Sequence, residues 1–140
     1  MTKNTRSQLA ALLALLAVCL AAGCGDTGRL PIKGIVKVDG TRLKDGYIVF
    51  LPVAGTPGPT AGSKIVDGSY EVDSSKGVFD GEFRVEIKGW RDSNRTSEDS
   101  VTGQRFAEPE QFLPAKYNSD SKLTRAIKSG SESCDFDLEM

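Results

Sequence analysis

The sequence predicts an all-β protein, an antiparallel β-sandwich of about seven short strands. Four Asp-Gly pairs divide the chain, and this dipeptide suits the two-residue turns of β-hairpins. The runs between these pairs are rich in β-branched residues, and two runs alternate apolar and charged residues strictly. After residue 24 no segment sustains helical periodicity. These observations together favour a fold made of strands and tight turns.

The N-terminal segment has the organisation of a secretory signal. Lys3 and Arg6 precede an apolar run, Leu9 to Ala22, which ends at Gly23 and Cys24. The run holds 14 residues, and about 20 are needed for a helix that crosses a bilayer. We therefore predict that the segment is cleaved and does not serve as a membrane-spanning anchor.

The residues around the predicted cleavage site resemble the lipobox of bacterial lipoprotein precursors, Leu20 to Cys24. The resemblance implies cleavage after Gly23 and lipidation of Cys24 with diacylglycerol and a fatty acid such as palmitate. Gly25 follows the cysteine, which by resemblance to the enterobacterial sorting rule favours the outer membrane, facing the periplasm. The expected protein is thus lipid-anchored in the bacterial cell envelope. The alternative is ordinary secretory cleavage that leaves a soluble protein.

The remaining chain is long enough for one domain. We predict a signal peptide over 1–23, a tether over 24–30 and a single β-sandwich domain over 31–140. Only Cys134 remains as a free thiol after processing, so the domain has no internal disulfide. Removing Lys3 and Arg6 from 18 basic residues leaves 16 against 19 acidic ones, a net charge of −3. The two signs are interspersed, which argues against nucleic acid as a partner.

The strands are predicted from the apolar runs and the turns from the Asp-Gly pairs. The expected strands are 32–38, 47–53 with Pro52 at its end, 64–66, 69–72, 82–88, 123–128 and an alternating segment over 134–140. Residues Phe83, Val85 and Ile87 share one face of their strand and charged residues share the other. The expected turns are Asp39-Gly40, Asp45-Gly46, Asp67-Gly68 and Asp80-Gly81.

Two segments lack this alternation of short strands and tight turns. Residues 54–62 contain Gly and Pro with nothing to bury, which predicts a mobile surface loop. Residues 89–113 form a long connection rich in charge that also carries aromatic residues. Long ordered loops in compact domains are often functional. We therefore predict that this segment is an interaction surface.

Turn and core positions along the chain resemble those of a known family. The matching positions are Gly46, Val49, Phe50 and Pro52, then Asp67, Gly68 and Tyr70, then Gly81, Phe83 and Val85, and finally Pro114, Lys116, Tyr117, Phe136, Asp137 and Leu138. This set is similar to the carboxypeptidase-regulatory-like, or transthyretin-like, domain of small bacterial lipoproteins. The resemblance implies a prealbumin-like sandwich that serves as an accessory, adhesion or ligand-binding module without catalytic residues. Such positions specify a fold and say little about function.

The composition excludes several classes of enzyme. The chain contains no histidine, which removes Ser-His-Asp and Cys-His catalysis and histidine-bearing zinc sites. The carboxylates Asp99, Glu108 and Glu110 could in principle serve glycoside hydrolysis, but no cleft is evident and we favour a solvated acidic loop. Cys134 is expected to be buried, with a reactive thiol as the alternative. We predict a non-enzymatic protein without a cofactor or a metal.

Four aromatic residues are the candidates for an interaction site. They are Trp90, Phe106, Phe112 and Tyr117. Trp90 follows a regular strand, where it could stack on a sugar ring, anchor a protein or cap the core. The expected partners are the membrane, through the lipid, and an envelope protein or polysaccharide. The alternative function is binding of a small ligand, a carbohydrate, or calcium through the aspartates of the turns.

Overall fold

The computed structural model describes residues 28–130 and 133–140, and within them the chain is all-β. These residues form nine strands and two single-turn 3₁₀ helices, with no α-helix. The strands are β1 (Ile32–Val38), β2 (Thr41–Arg42), β3 (Asp45–Pro52), β4 (Ala61–Val66), β5 (Ser69–Val72), β6 (Gly81–Glu98), β7 (Arg105–Gln111), β8 (Thr124–Ile127) and β9 (Phe136–Leu138). The 3₁₀ helices span Ser74–Lys76 and Ala115–Tyr117. The all-β class is confirmed, while the predicted signal segment, Gly23 and Cys24 lie outside the described residues.

The strands join into one hydrogen-bonded network. Their order is β2-β1-β5-β4-β3-β6-β7, with β8 added to β6 and β9 added to β1. All pairings are antiparallel except that of β1 with β9. Residues 32–35 of β1 pair with β5, whereas 36–38 pair with β9. The change of neighbour brings the last strand of the chain beside the first.

Alternate residues of the strands build one hydrophobic core. Phe83, Val85 and Ile87 are fully buried in β6, as their period of two predicts. Phe136 and Leu138 are buried in β9 in the same alternating manner. The phases predicted for both segments are therefore confirmed.

Cys134 lies in the core, as predicted for a small apolar side chain. Burial raises the pKa of its thiol, which disfavours the reactive thiolate. The Cys134 carbonyl accepts a hydrogen bond of 2.6 Å from the Tyr70 hydroxyl. Burial also raises the pKa of Tyr70 well above its ordinary value, so the hydroxyl stays a donor.

Only two of the four Asp-Gly pairs form turns. Asp39-Gly40 joins β1 to β2 and Asp67-Gly68 joins β4 to β5, all four residues having φ between 48° and 79°. Those values are typical of the two-residue turn that the dipeptide predicts. The prediction is wrong for Asp45-Gly46 and Asp80-Gly81, which lie at the beginnings of β3 and β6.

Gly46 serves close packing instead of a turn. A Cβ atom at Gly46 would lie 2.6 Å from the Lys88 carbonyl oxygen and 2.9 Å from Leu43 Cδ2. Gly89 is its partner in the register of β3 and β6, and a Cβ there would lie 2.9 Å from Leu43 Cδ1. The two glycines leave room for Leu43 to enter the end of the core.

The two segments predicted as loops are more ordered than expected. Residues 89–113 are not a loop, because β6 continues to Glu98 and pairs with β7 in a long hairpin. The segment 54–62 ends in strand β4, which begins at the buried residue Ala61. Thr56 fixes the connection, since its hydroxyl donates to the Glu82 carbonyl and accepts from the Glu82 N–H, both at 3.0 Å.

Candidate functional site

A groove of about 720 Å³ opens at one end of the core. Its size falls in the range of small-molecule and peptide sites. It lies between the β1–β2 turn, the beginning of β3 and the base of the β6–β7 hairpin. The lining residues are Val38, Asp39, Thr41, Arg42, Leu43, Lys44, Asp45, Trp90, Arg91, Asp92, Pro109, Phe112 and Met140. Both charge signs and two aromatic residues thus border one cavity.

Short polar contacts hold the wall of the groove formed by the β1–β2 turn. The Asp39 carboxylate accepts a hydrogen bond of 3.1 Å from the Met140 N–H. The Gly40 N–H donates to the Asp137 carboxylate at 3.2 Å. These contacts tie the turn to the segment at and after β9, so this wall is built by residues far apart in the sequence.

The opposite wall is the base of the hairpin. The Arg91 guanidinium lies 5.2 Å from the centre of the Phe112 ring and forms an ion pair of 2.7 Å with Glu110. Such stacking on an aromatic face holds the guanidinium in a defined position. Phe112 is half-buried and packs against the core. This wall therefore offers a fixed apolar surface beside a cation.

Trp90 borders the groove and also the outer face of the sheet. In β6 it alternates with the buried positions Ile87 and Gly89, and its cross-strand partners are Asp45 on β3 and Gln111 on β7. This register places Trp90 on the side of the sheet away from the core. It is half-buried and is not part of the core cluster in the described residues, which argues against the core-cap interpretation.

The other two predicted site residues lie elsewhere. Phe106 is 51% exposed on β7, far along the hairpin, where it pairs with Ser97. Tyr117 packs against the core, and its hydroxyl donates to the Glu139 carbonyl at 2.7 Å and accepts from the Glu139 N–H at 2.8 Å. Of the four candidates, the groove brings together Trp90 and Phe112.

Sequence reasoning missed the charged residues that line the groove beside the aromatic ones. The sequence pattern predicts only a turn at Asp45 and assigns no role to Arg42 and Lys44. The sequence does contain one indication of a charged surface here, because three charged residues lie within four positions of the chain. Their position at the groove depends on the pairing of distant strands, which the local pattern does not contain.

The three carboxylates considered for glycoside hydrolysis each have partners within the hairpin. Asp99 accepts hydrogen bonds from Thr102 and Val101 in the turn, and the Thr102 contacts most strongly lower its pKa. Glu108 contacts the Ser97 hydroxyl and Arg95, and Glu110 pairs with Arg91. They stabilise the turn and the ribbon and do not converge on a cleft. Within residues 28–130 and 133–140, no three acidic or cysteine side chains are grouped to hold a metal ion.

Comparison with known proteins leaves the family open. No protein-family profile matches the chain, and no curated protein or solved structure is significantly similar to it. In the part of the chain that the structure describes, no helix is long and apolar enough to span a membrane.

Proposed function

We propose that the protein is a lipid-anchored, non-enzymatic module of the bacterial cell envelope that binds a partner through the groove and the adjoining hairpin. The N-terminal sequence supports the anchor, since a signal-like segment ends in the lipobox-like residues Leu20 to Cys24. The sequence contains no histidine, which removes histidine-dependent catalysis. The proposed location is the outer membrane, facing the periplasm.

We further propose that the domain is a two-layered sandwich of the transthyretin-like kind. Supporting this, β1 pairs with β5 through its first half and with β9 through its second half. A strand that changes neighbours in this way is typical of the corner between two layers. Side chains from both groups of strands meet in the core, where the Phe50 ring lies 6.0 Å from that of Tyr70 and 6.5 Å from that of Phe136.

The hairpin beyond the groove is the observation that carries the proposed function. We call residues 91–111 the arm. After Trp90, β6 has no described partner except β7, and no residue of 91–98 or β7 is buried. A two-stranded ribbon is only marginally stable by itself, and exposed ion pairs add little. The arm therefore contributes little to the core, and an interaction role accounts for its length.

A photo-crosslinking experiment tests this role. Benzoylphenylalanine at Phe106 in the full-length protein should give ultraviolet-dependent adducts in living cells. The same amino acid at Lys76, which is exposed at the opposite end of β6, is the matched control and should give none. Absence of adducts at position 106 in a normally folded and exported protein would contradict the proposal, as would equal adducts at both positions.

A further inference from the structure

The outer face of the sheet carries a cluster of aromatic and basic side chains that is distinct from the arm. Tyr47 on β3 lies directly opposite Lys64 on β4 and Lys88 on β6. Trp90 follows Lys88 by two positions and therefore points to the same side. We call Tyr47, Lys64, Lys88 and Trp90 the lysine-aromatic patch.

Tyr47 is held flat against the sheet. It is 39% exposed, the largest exposure of an aromatic residue outside the arm in the described chain. A Cβ atom on Gly62 of β4 would lie 3.1 Å from Tyr47 Cε1 and 3.3 Å from its hydroxyl oxygen. The ring thus packs over the backbone of Gly62, which has no side chain to displace it.

The two lysines carry charge that the described chain does not neutralise. Neither Lys64 nor Lys88 forms an ion pair with a described residue. The neighbouring carboxylate Glu86 is already paired with Arg84 at 2.8 Å. Asp45, opposite Trp90, and Asp92, two positions after Trp90, border the patch at one end, and Glu71 lines a cavity together with Lys64. The four residues of the patch itself carry two positive charges and no negative one, in a chain whose overall charge is −1.

We propose that the lysine-aromatic patch binds an acidic polysaccharide, one whose sugar units bear carboxylate or phosphate groups. The aromatic faces are negative at their centres and attract the C–H groups on the face of a sugar ring. The indole N–H of Trp90 has no partner among the described residues and can donate to a sugar hydroxyl. The two ammonium groups on either side of Tyr47 complement the charges along the chain.

A polymer suits this surface better than a small ligand. The patch is spread over three strands on an open sheet face, and one exposed ion pair contributes little free energy. Repeated units along a polysaccharide raise the local concentration of ligand and compensate for weak single contacts. Binding should weaken with added salt, because exposed charges are screened over about 8 Å at physiological ionic strength.

Trp90 provides a direct test because it is the only tryptophan in the chain. The detergent-solubilised full-length protein is titrated with polygalacturonate, and with neutral dextran for comparison, while tryptophan emission is recorded. We expect a saturable change with polygalacturonate only. The double variant Lys64→Gln, Lys88→Gln should weaken binding about tenfold, whereas the matched variant Lys76→Gln, Lys122→Gln should change it less than about twofold.

Replacement of the aromatic surface provides the second arm of the test. Tyr47→Leu retains an apolar cover over Gly62 and should reduce affinity, with an unchanged thermal unfolding midpoint. No emission change with polygalacturonate would overturn the proposal. Equal losses in the two lysine variants would also overturn it by indicating nonspecific attraction. Equal binding of dextran would show a charge-independent site, and binding of periplasmic proteins at the patch without polygalacturonate would show a protein partner.

Discussion

At the scale of single residues, Asp135 fastens the C-terminal segment to β1. Its carboxylate accepts hydrogen bonds from the Ser133 hydroxyl at 2.7 Å and from the Ile35 N–H at 2.8 Å. These contacts, the one with Ser133 first, lower the pKa of Asp135 below its usual value. The charged form is therefore favoured in the folded state.

This interaction predicts a pH-dependent stability. An aspartate has a pKa of about 3.9 when unfolded, so a lower folded pKa stabilises the protein above that pH. The contribution is lost as the pH falls from about 4 through the folded pKa. In urea unfolding, Asp135→Asn should be less stable than wild type at pH 7, and the difference should shrink at pH 3. Ser133→Ala should reduce the same pH dependence, and a difference independent of pH would contradict the assignment.

Single residues also show where prediction from sequence stops. The Asp-Gly dipeptide favours positive φ, and this local preference correctly predicts the turns at Asp39 and Asp67. At Gly46 the glycine of the same dipeptide is required for a different reason, the close approach of Leu43 and the Lys88 carbonyl. This requirement arises from tertiary packing, so no local signal distinguishes a glycine needed for a turn from one needed for close packing.

At the scale of elements, strands with one buried face were predicted well and the arm was not. The period of two in 82–88 reports burial directly, because Phe83 and Ile87 enter the core. Beyond Trp90 neither face of β6 is buried, and the alternation of apolar residues disappears although the strand continues. The arm is instead held by cross-strand contacts such as Arg91 with Glu110 and Arg105 with Glu98. Those partners are separated in sequence and carry no periodic signal.

One strand should therefore show two levels of protection in hydrogen exchange. Residues 83–88 pair with β3, and Phe83, Val85 and Ile87 among them are fully buried, so the amides of this segment should exchange only on global or near-global opening. The amides of 93–98 should exchange at least about tenfold faster, because the ribbon opens without disturbing the core. Amide exchange followed by mass spectrometry of overlapping peptides measures both. Uniform protection along β6 would show that the arm is an integral part of the cooperative fold.

At the scale of the whole molecule, β6 runs from the end of the domain where the described chain begins, the entry end, to the tip of the arm. The described chain begins near the Phe79 ring. A Cβ atom built on Gly28 would lie 3.7 Å from Phe79 Cε1, and the Arg29 guanidinium lies 6.0 Å from the centre of the ring. Strand β6 begins two residues after Phe79 and reaches the tip of the arm. At about 3.3 Å per residue its 18 residues span at most roughly 60 Å. An anchor at Cys24 would thus hold the entry end near the bilayer and direct the arm away from it.

Energy transfer to the bilayer tests this orientation together with the anchor. A donor dye is attached to Lys76→Cys at the entry end or to Thr102→Cys at the arm tip, in a Cys134→Ser background, and the acceptor is a lipid dye in vesicles. Lipidated Cys24 has no free thiol to label. Transfer should be stronger from position 76, because the arm tip lies farther from the tether. The protein expressed from residue 25 onward lacks the signal segment, Cys19 and Cys24, and should show no transfer from either position. Cys24→Ala in the full-length protein should remove metabolic labelling by a fatty acid analogue. Equal transfer from both positions would mean that the domain lies along the membrane, and vesicle binding by the protein expressed from residue 25 would mean that the lipid is not the anchor.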